Sequence, residues 1–220
     1  MRVRGVMVSM DAFQAFDGGN IMLIAAVKRM YYELRNYYAD EPDEGVRYEP
    51  IGGNLMHLKG VIEGPEGSPY EGGKFVLDIT IPENYPKEGP TIKFITKIWH
   101  PSVNSFDGTI CLDNMGYNTW PLSMTVYKTL KRIRYWLVAN NDIRPLDYDI
   151  YIQKRDNEEV FEKTAKFWTI KYAGAKFHVD PDCQMRVGLV MNITNNDEDL
   201  AIAALSCHDW ALPKDIGNFV

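Results

Sequence analysis

Apolar positions in this chain recur with different periods, and each change of period marks an element. Ile24, Val27, Tyr31, Leu34 and Tyr38 recur at steps of three and four, which predicts one face of an N-terminal helix ended by Glu41-Pro42. Period two follows: Met56, Leu58, Gly60 and Ile62 alternate with His57, Lys59 and Val61, predicting a half-buried strand. Phe75, Leu77, Ile79 and Ile81 alternate with Val76, Asp78 and Thr80 to predict another, beyond the turn cluster Gly64-Pro65-Glu66-Gly67-Ser68-Pro69. Thr91 to Lys97 reads as a further strand after the proline-rich stretch from Pro82 to Pro90. Strands joined by turns, with no helix between them, imply an antiparallel meander. Helical spacing returns at Val126, Leu130, Ile133 and Leu137, and again at Phe161, Ala165, Trp168 and Tyr172, so the layout is α+β.

Residues 1–20 hold no sustained period, end in Gly18-Gly19 and read as a loose extension. The main domain then spans 21–175, and residues 180–220 read as a separate small unit of three short helices. Asp180-Pro181 suits an N-cap followed by proline at the first helical position. A second helix can start at Asn196 with Asp197 and Glu198 in its first turn, turning Leu200, Ala203 or Ala204, and Cys207 inward. Pro213 can open a third, with Ile216 and Phe219 inward.

Composition narrows the classes. Apolar residues make up 45% and charged residues 25% of 220, as in soluble globular proteins, and a net charge of −6 argues against a general nucleic-acid binder. No run reaches the length of a membrane helix, and Asp11, Asp17, Gly18 and Gly19 interrupt any signal-peptide core. Cys111, Cys183 and Cys207 form no metal-ligand spacing and no even-numbered disulfide set, which points to a reducing compartment, cytoplasm or nucleus. No cofactor is implied. Cys111 alone sits in an irregular, polar stretch between two apolar elements, where a thiol is open to chemistry. Cys183 and Cys207 read as space-filling or surface thiols.

Several ordered motifs carry a resemblance. Pro69-Tyr70-Glu71-Gly72-Gly73, Ile81-Pro82-Glu83-Asn84-Tyr85-Pro86, Ile95-Thr96-Lys97-Ile98-Trp99-His100-Pro101, Gly108-Thr109-Ile110-Cys111-Leu112-Asp113 and Trp120 resemble the ubiquitin-conjugating enzymes. The match runs on through Phe161-Glu162-Lys163-Thr164-Ala165 to Tyr172-Ala173-Gly174-Ala175, and covers about residues 21–175. The tail is similar to a ubiquitin-associated (UBA) domain, with Ala204-Leu205-Ser206 and Trp210 as anchors. The resemblance implies an N-terminal helix, a four-stranded antiparallel meander and C-terminal helices, followed by a UBA-like bundle. It also implies that Cys111 takes ubiquitin from the activating enzyme as a thioester and passes it to a lysine amine. His100 and Pro101 would support the loop, a duty that fits a strand exit better than general-base work does.

Three departures bear on that expectation. Ser102 stands where the family has an asparagine assigned to the oxyanion or to holding the active-site loop, and serine, shorter and with one donor, inherits neither role unchanged. Asn104 could substitute only in a rebuilt loop. Where active relatives often carry two aspartates before a proline, this chain has Asp142-Ile143-Arg144-Pro145, so the acid that orients the lysine would be Asp142, or Asp113. Lys87 replaces an aromatic that contacts RING-type ligases, the second ligase loop being Pro121-Leu122-Ser123-Met124. The activating enzyme would dock on the first helix at Lys28 and Arg29, and Met191-Asn192-Ile193 would be the tail's ubiquitin contact. The competing expectation is a regulatory or binding module of the same fold with little transfer activity.

Overall fold

The computed structural model describes residues 2–3, 6–7, 20–40, 45–110, 120–139, 145–192 and 195–212. Within the expected loose extension, β1 (Arg2–Val3) and β2 (Val6–Met7) form a short antiparallel ladder. The first helix, α1 (Ile21–Ala39), starts where Asn20 accepts a hydrogen bond from the Met22 amide. Its buried stripe is Ala26, Met30, Glu33, Leu34 and Tyr37. Of the residues expected on that face, Leu34 is buried, while Val27, Tyr31 and Tyr38 flank it half-buried. The stripe is rotated because it takes in Glu33, buried with both carboxylate oxygens hydrogen-bonded, which an apolar pattern does not register.

A four-stranded antiparallel sheet follows, ordered β3 (Val46–Ile51), β4 (Asn54–Glu63), β5 (Lys74–Thr80) and β6 (Thr91–Phe94). Leu58, Ile62, Phe75, Leu77 and Ile79 are fully buried on its inner face. Each such side chain contributes about 1.5–3 kcal/mol relative to exposure. The period-two reading located β4 and β5 but not β3, an edge strand that carries Pro50, a residue confined to edges because it cannot donate to a ladder. β6 stops three residues before the expected Lys97. There the Ile95 and Thr96 amides both donate to the Val76 carbonyl, at 2.8 and 3.2 Å, which breaks the one-to-one pairing.

The helices α2 (Val126–Trp136), α3 (Tyr148–Asp156) and α4 (Glu158–Ala173) complete the core. Val126, Leu130, Ile133 and Leu137 are buried as the spacing predicts. The short α3 went unread because only Ile150 and Gln153 of its nine residues are buried, too few to show a helical period.

In the tail, α5 (Pro181–Met191) starts on an Asp180 cap with Pro181 in its first turn, and α6 (Glu198–Cys207) starts on Asp197. The inward face of α6 differs from expectation. Leu200 is 54% exposed and Cys207 is exposed, whereas Ala201, Ile202, Leu205 and Ser206 are buried. Ser206 explains the rotation: its hydroxyl accepts from Trp168 Nε1 at 2.9 Å and its carbonyl from Gln153 Nε2 at 2.9 Å. Gln153 also donates to Asp209 at 2.8 Å and accepts from Trp99 Nε1 at 2.7 Å. Trp210, 3% exposed, donates to Thr164 Oγ1 at 2.8 Å and meets Phe167 edge to face. Ion pairs Lys97–Asp199, Lys171–Glu198 and Lys163–Asp180 surround this contact. Thus α5 and α6 lie against the core. Cys183 is buried between them and the core, and burial pushes its thiol up to about 11. The helix expected from Pro213 lies outside the described residues.

Gln153 therefore ties the end of the sheet region to the tail. Gln153→Leu strands the Trp99 indole and the Ser206 carbonyl, and is expected to cost roughly 2–6 kcal/mol in urea unfolding, at about 1–3 kcal/mol per orphaned group. Faster amide exchange in α6 should accompany it; a loss below about 0.5 kcal/mol, the scale of a plain surface change, would show that the network does not anchor the tail.

Candidate active site

The segment leaving β6 is built on buried aromatics. Trp99 and His100 are each 2% exposed, with Tyr70 donating to the Trp99 carbonyl at 2.8 Å and its ring 5.8 Å from that of His100. Two further contacts fix the imidazole. The Ser102 amide donates to His100 Nδ1 at 3.0 Å, and the ring is hydrogen-bonded to the Trp136 backbone. Burial, reinforced by the Lys154 charge, drives the His100 pKa down to about 3. A neutral imidazole with its lone pair already used is a poor general base and a good loop support.

Ser102 is 2% exposed, and its buried hydroxyl has no hydrogen-bond partner among the described residues. In this arrangement the hydroxyl does not reach solvent. Asn104 is committed elsewhere: its side-chain oxygen accepts from the Phe106 and Asp107 amides at 2.9 and 3.0 Å. That Asx turn begins a tight excursion which closes where the Asn104 amide meets the Thr109 carbonyl at 2.9 Å and Val103 bridges Ile110. The Thr109 amide and hydroxyl hold the Asp107 carboxyl below its ordinary value. Gly108, at φ 72°, lies where a Cβ would fall 1.9 Å from the Phe94 carbonyl oxygen, so only glycine lets the loop pass β6 this closely. Phe106 stands at the tip, 97% exposed.

The Pro101 carbonyl accepts from both the Leu146 and Asp147 amides, at 2.9 and 3.1 Å. Ser105 Oγ donates to Asp147 Oδ2 at 2.5 Å, while Asp147 Oδ1 caps α3 through the Ile150 amide. These bonds join the loop preceding Cys111 to the segment following Asp142. Ser105 and Asp147 escaped the sequence reading, and the one available signal was an aspartate suited to cap a helix that the apolar pattern did not reveal. Cys111 and Asp142 themselves, with Asp113 and Arg144, lie outside the described residues.

The expected partner contacts separate into exposed and engaged groups. Lys28 is exposed on α1, but Arg29 donates to Glu33 at 2.7 Å and to the Leu122 and Met124 carbonyls at 3.3 and 3.2 Å. Lys87, Leu122 and Ser123 are exposed, and Pro121 is half-buried. The two loops that carry them touch: a Cβ at Gly89 would fall 2.6 Å from the Trp120 ring, so the glycine makes room for the indole. In the tail, Met191 is half-buried and Asn192 is exposed at the end of α5, whereas Ile193 lies outside the described residues. Among the described residues no cluster of metal-ligating side chains occurs, and no helix is long and apolar enough to cross a membrane.

His100 has a consequence for stability. As pH falls below about 6.5 the unfolded chain protonates this histidine, while the folded chain resists down to about 3, so stability present above 6.5 is lost on acidification. The loss approaches ~1.4 kcal/mol per pH unit from this group. His100→Asn, whose side-chain oxygen can replace Nδ1 as acceptor, should flatten unfolding free energy against pH between 6.5 and 4.5; parallel curves for the two proteins would contradict the buried neutral imidazole.

Comparison with known proteins agrees with this geometry. The family model described as "Ubiquitin-conjugating enzyme" matches residues 29–169. The chain is 36% identical over 205 residues to Ubiquitin-conjugating enzyme E2 21 of Caenorhabditis elegans, covering 93% of this chain and 94% of that one. It is 34% identical over 187 residues to human Ubiquitin-conjugating enzyme E2 K, covering 84% and 92% respectively. The solved E2 domain of a Toxoplasma gondii ubiquitin conjugating enzyme superposes with a TM-score of 0.60 at 38% identity, covering 66% of this chain and 97% of that domain. The chain belongs to the ubiquitin-conjugating enzyme family.

Proposed function

We propose that Cys111 carries ubiquitin as a thioester and delivers it to a lysine amine. The single observation that supports this most is the loop before Cys111, closed by the Val103–Ile110 bridge, run close against β6 at Gly108 and seated on a buried, neutral His100. In the first step the Cys111 thiolate attacks the activated carboxyl carbon of ubiquitin on the activating enzyme, whose own thiolate leaves. In the second a neutral lysine amine attacks the Cys111 thioester; the Cys111 thiolate leaves, and the amine's proton passes to solvent or a nearby base, leaving an isopeptide bond. Thiolates are strong nucleophiles and their thioesters react with amines without a metal or organic cofactor. Partial desolvation would favour the neutral amine.

The buried, unpartnered Ser102 hydroxyl favours a step in which Ser102 donates to no oxyanion. It also supports the competing reading, a conjugation-fold module that transfers poorly, because one lost oxyanion donor can cost roughly a hundred- to a thousandfold in rate. The activating enzyme would meet α1 with Lys28 as its exposed basic contact, and RING-type ligases would meet Lys87 with the Pro121–Ser123 loop. The tail acts as a UBA-like module with Met191 and Asn192 at its ubiquitin-facing end.

A charging assay with activating enzyme, ATP and ubiquitin tests the assignment. An adduct removed by reductant and abolished by Cys111→Ala is expected; no adduct would remove the enzyme reading. Ser102→Ala should leave discharge to free lysine within about twofold and cost no stability, since deleting an unpaired buried hydroxyl sacrifices no hydrogen bond. A hundredfold slower discharge would instead place that hydroxyl at the oxyanion.

A further inference from the structure

Two stretches of backbone that flank the reacting region meet at one carboxylate. Asp147 spends its oxygens separately: Oδ1 accepts from the Ile150 amide at 3.3 Å and caps α3, while Oδ2 accepts the Ser105 hydroxyl at 2.5 Å. Its own amide and that of Leu146 donate to the Pro101 carbonyl. Ser105 lies inside the turn set by Asn104, six residues before Cys111, and the bond to Asp147 spans a sequence separation of 42 residues. Meanwhile Ser102, at the position expected to hold this loop by a side-chain amide, makes no side-chain hydrogen bond among the described residues.

We infer that Asp147 and Ser105 are positioning residues for transfer from Cys111, their hydrogen bond clasping the loop before the cysteine to the start of α3 in place of the missing asparagine amide. This inference rests on the thioester reading of Cys111. A hydroxyl donating to a carboxylate is among the stronger neutral-to-ion contacts. Because Asp147 is also the α3 cap, the loop is referred to a helix rather than to a mobile turn. α3 is itself anchored by Gln153 to Trp99, the residue before His100, so the cap and the body of the helix both hold the segment leaving β6. Backbone bonds at Pro101 fix the base of the loop, and the Ser105–Asp147 bond fixes its far side. Neither residue needs to touch the substrate. Their effect is on how often the thioester and incoming amine reach attack geometry, a term to which reaction rates are steeply sensitive.

The test uses the full chain, charged first with ubiquitin to the same starting fraction for each variant, then chased with free lysine at a series of concentrations. Ser105→Ala is expected to lower the maximal discharge rate about tenfold, with the half-saturating lysine concentration unchanged and the melting temperature within a few degrees. Ser105→Thr keeps the hydroxyl and should restore the rate to within about twofold. Asp147→Ser keeps a helix cap but is too short to reach Ser105, and should match Ser105→Ala, with the double variant no slower than either single one. If the charged wild type and Ser105→Ala discharge at the same maximal rate, or if threonine fails to rescue, the clasp has no positioning role. A wild-type chain that takes no ubiquitin overturns the Cys111 reading and this inference with it, an outcome distinct from normal charging with unaffected discharge.

Discussion

The arrangement of helices on the sheet depends on the buried carboxylate of Glu33. It accepts from Arg29 Nε and the Tyr85 hydroxyl at 2.7 Å each, and from the Val126 amide at 3.0 Å. One side chain therefore joins α1, the turn after β5 and the first turn of α2, where a negative charge also faces the positive end of the helix. Burying a carboxylate costs several kcal/mol unless such bonds replace its water. Through Arg29 the same group reaches the Leu122 and Met124 carbonyls, so the loop proposed to meet ligases is set by α1. Burial, with the Glu33 charge beside it, pushes the Tyr85 hydroxyl far above its ordinary pKa and keeps it a donor.

With that frame in place, the reacting region is assembled from its margins. His100 is buried, neutral and hydrogen-bonded at its ring, Gly108 lets the loop run against β6, and Pro101, Ser105, Leu146 and Asp147 bind the two flanking stretches to each other. The Ser102 side chain is buried, and the side-chain hydrogen bond that crosses to the start of α3 is made from Ser105.

The sequence revealed what periodicity and turn chemistry report. Strands β4 and β5, helices α1, α2 and α4, and the Asp180-Pro181 start of α5 follow directly from spacing, composition and caps. It failed where a polar group is buried for its hydrogen bonds. Glu33 sits in the α1 stripe, Gln153 is one of two buried residues of α3, and Ser206 turns the inward face of α6 away from Leu200 and Cys207. No scale that scores residues one at a time marks such positions as interior. At the site, the Cys111 motif was legible through its resemblance to a family, but the Ser105–Asp147 bond was not, because it joins residues 42 apart whose types are common in any loop.

Peptide mapping of the ubiquitin-charged chain tests the central claim most directly. After charging, blocking of free thiols, and release of ubiquitin by hydroxylamine, the newly exposed thiol can be labelled and located by mass spectrometry. The account predicts a label on Cys111 alone, with Cys183 shielded by burial and Cys207 blocked beforehand. A label on Cys183 or Cys207, with Cys111 unmodified, would contradict it.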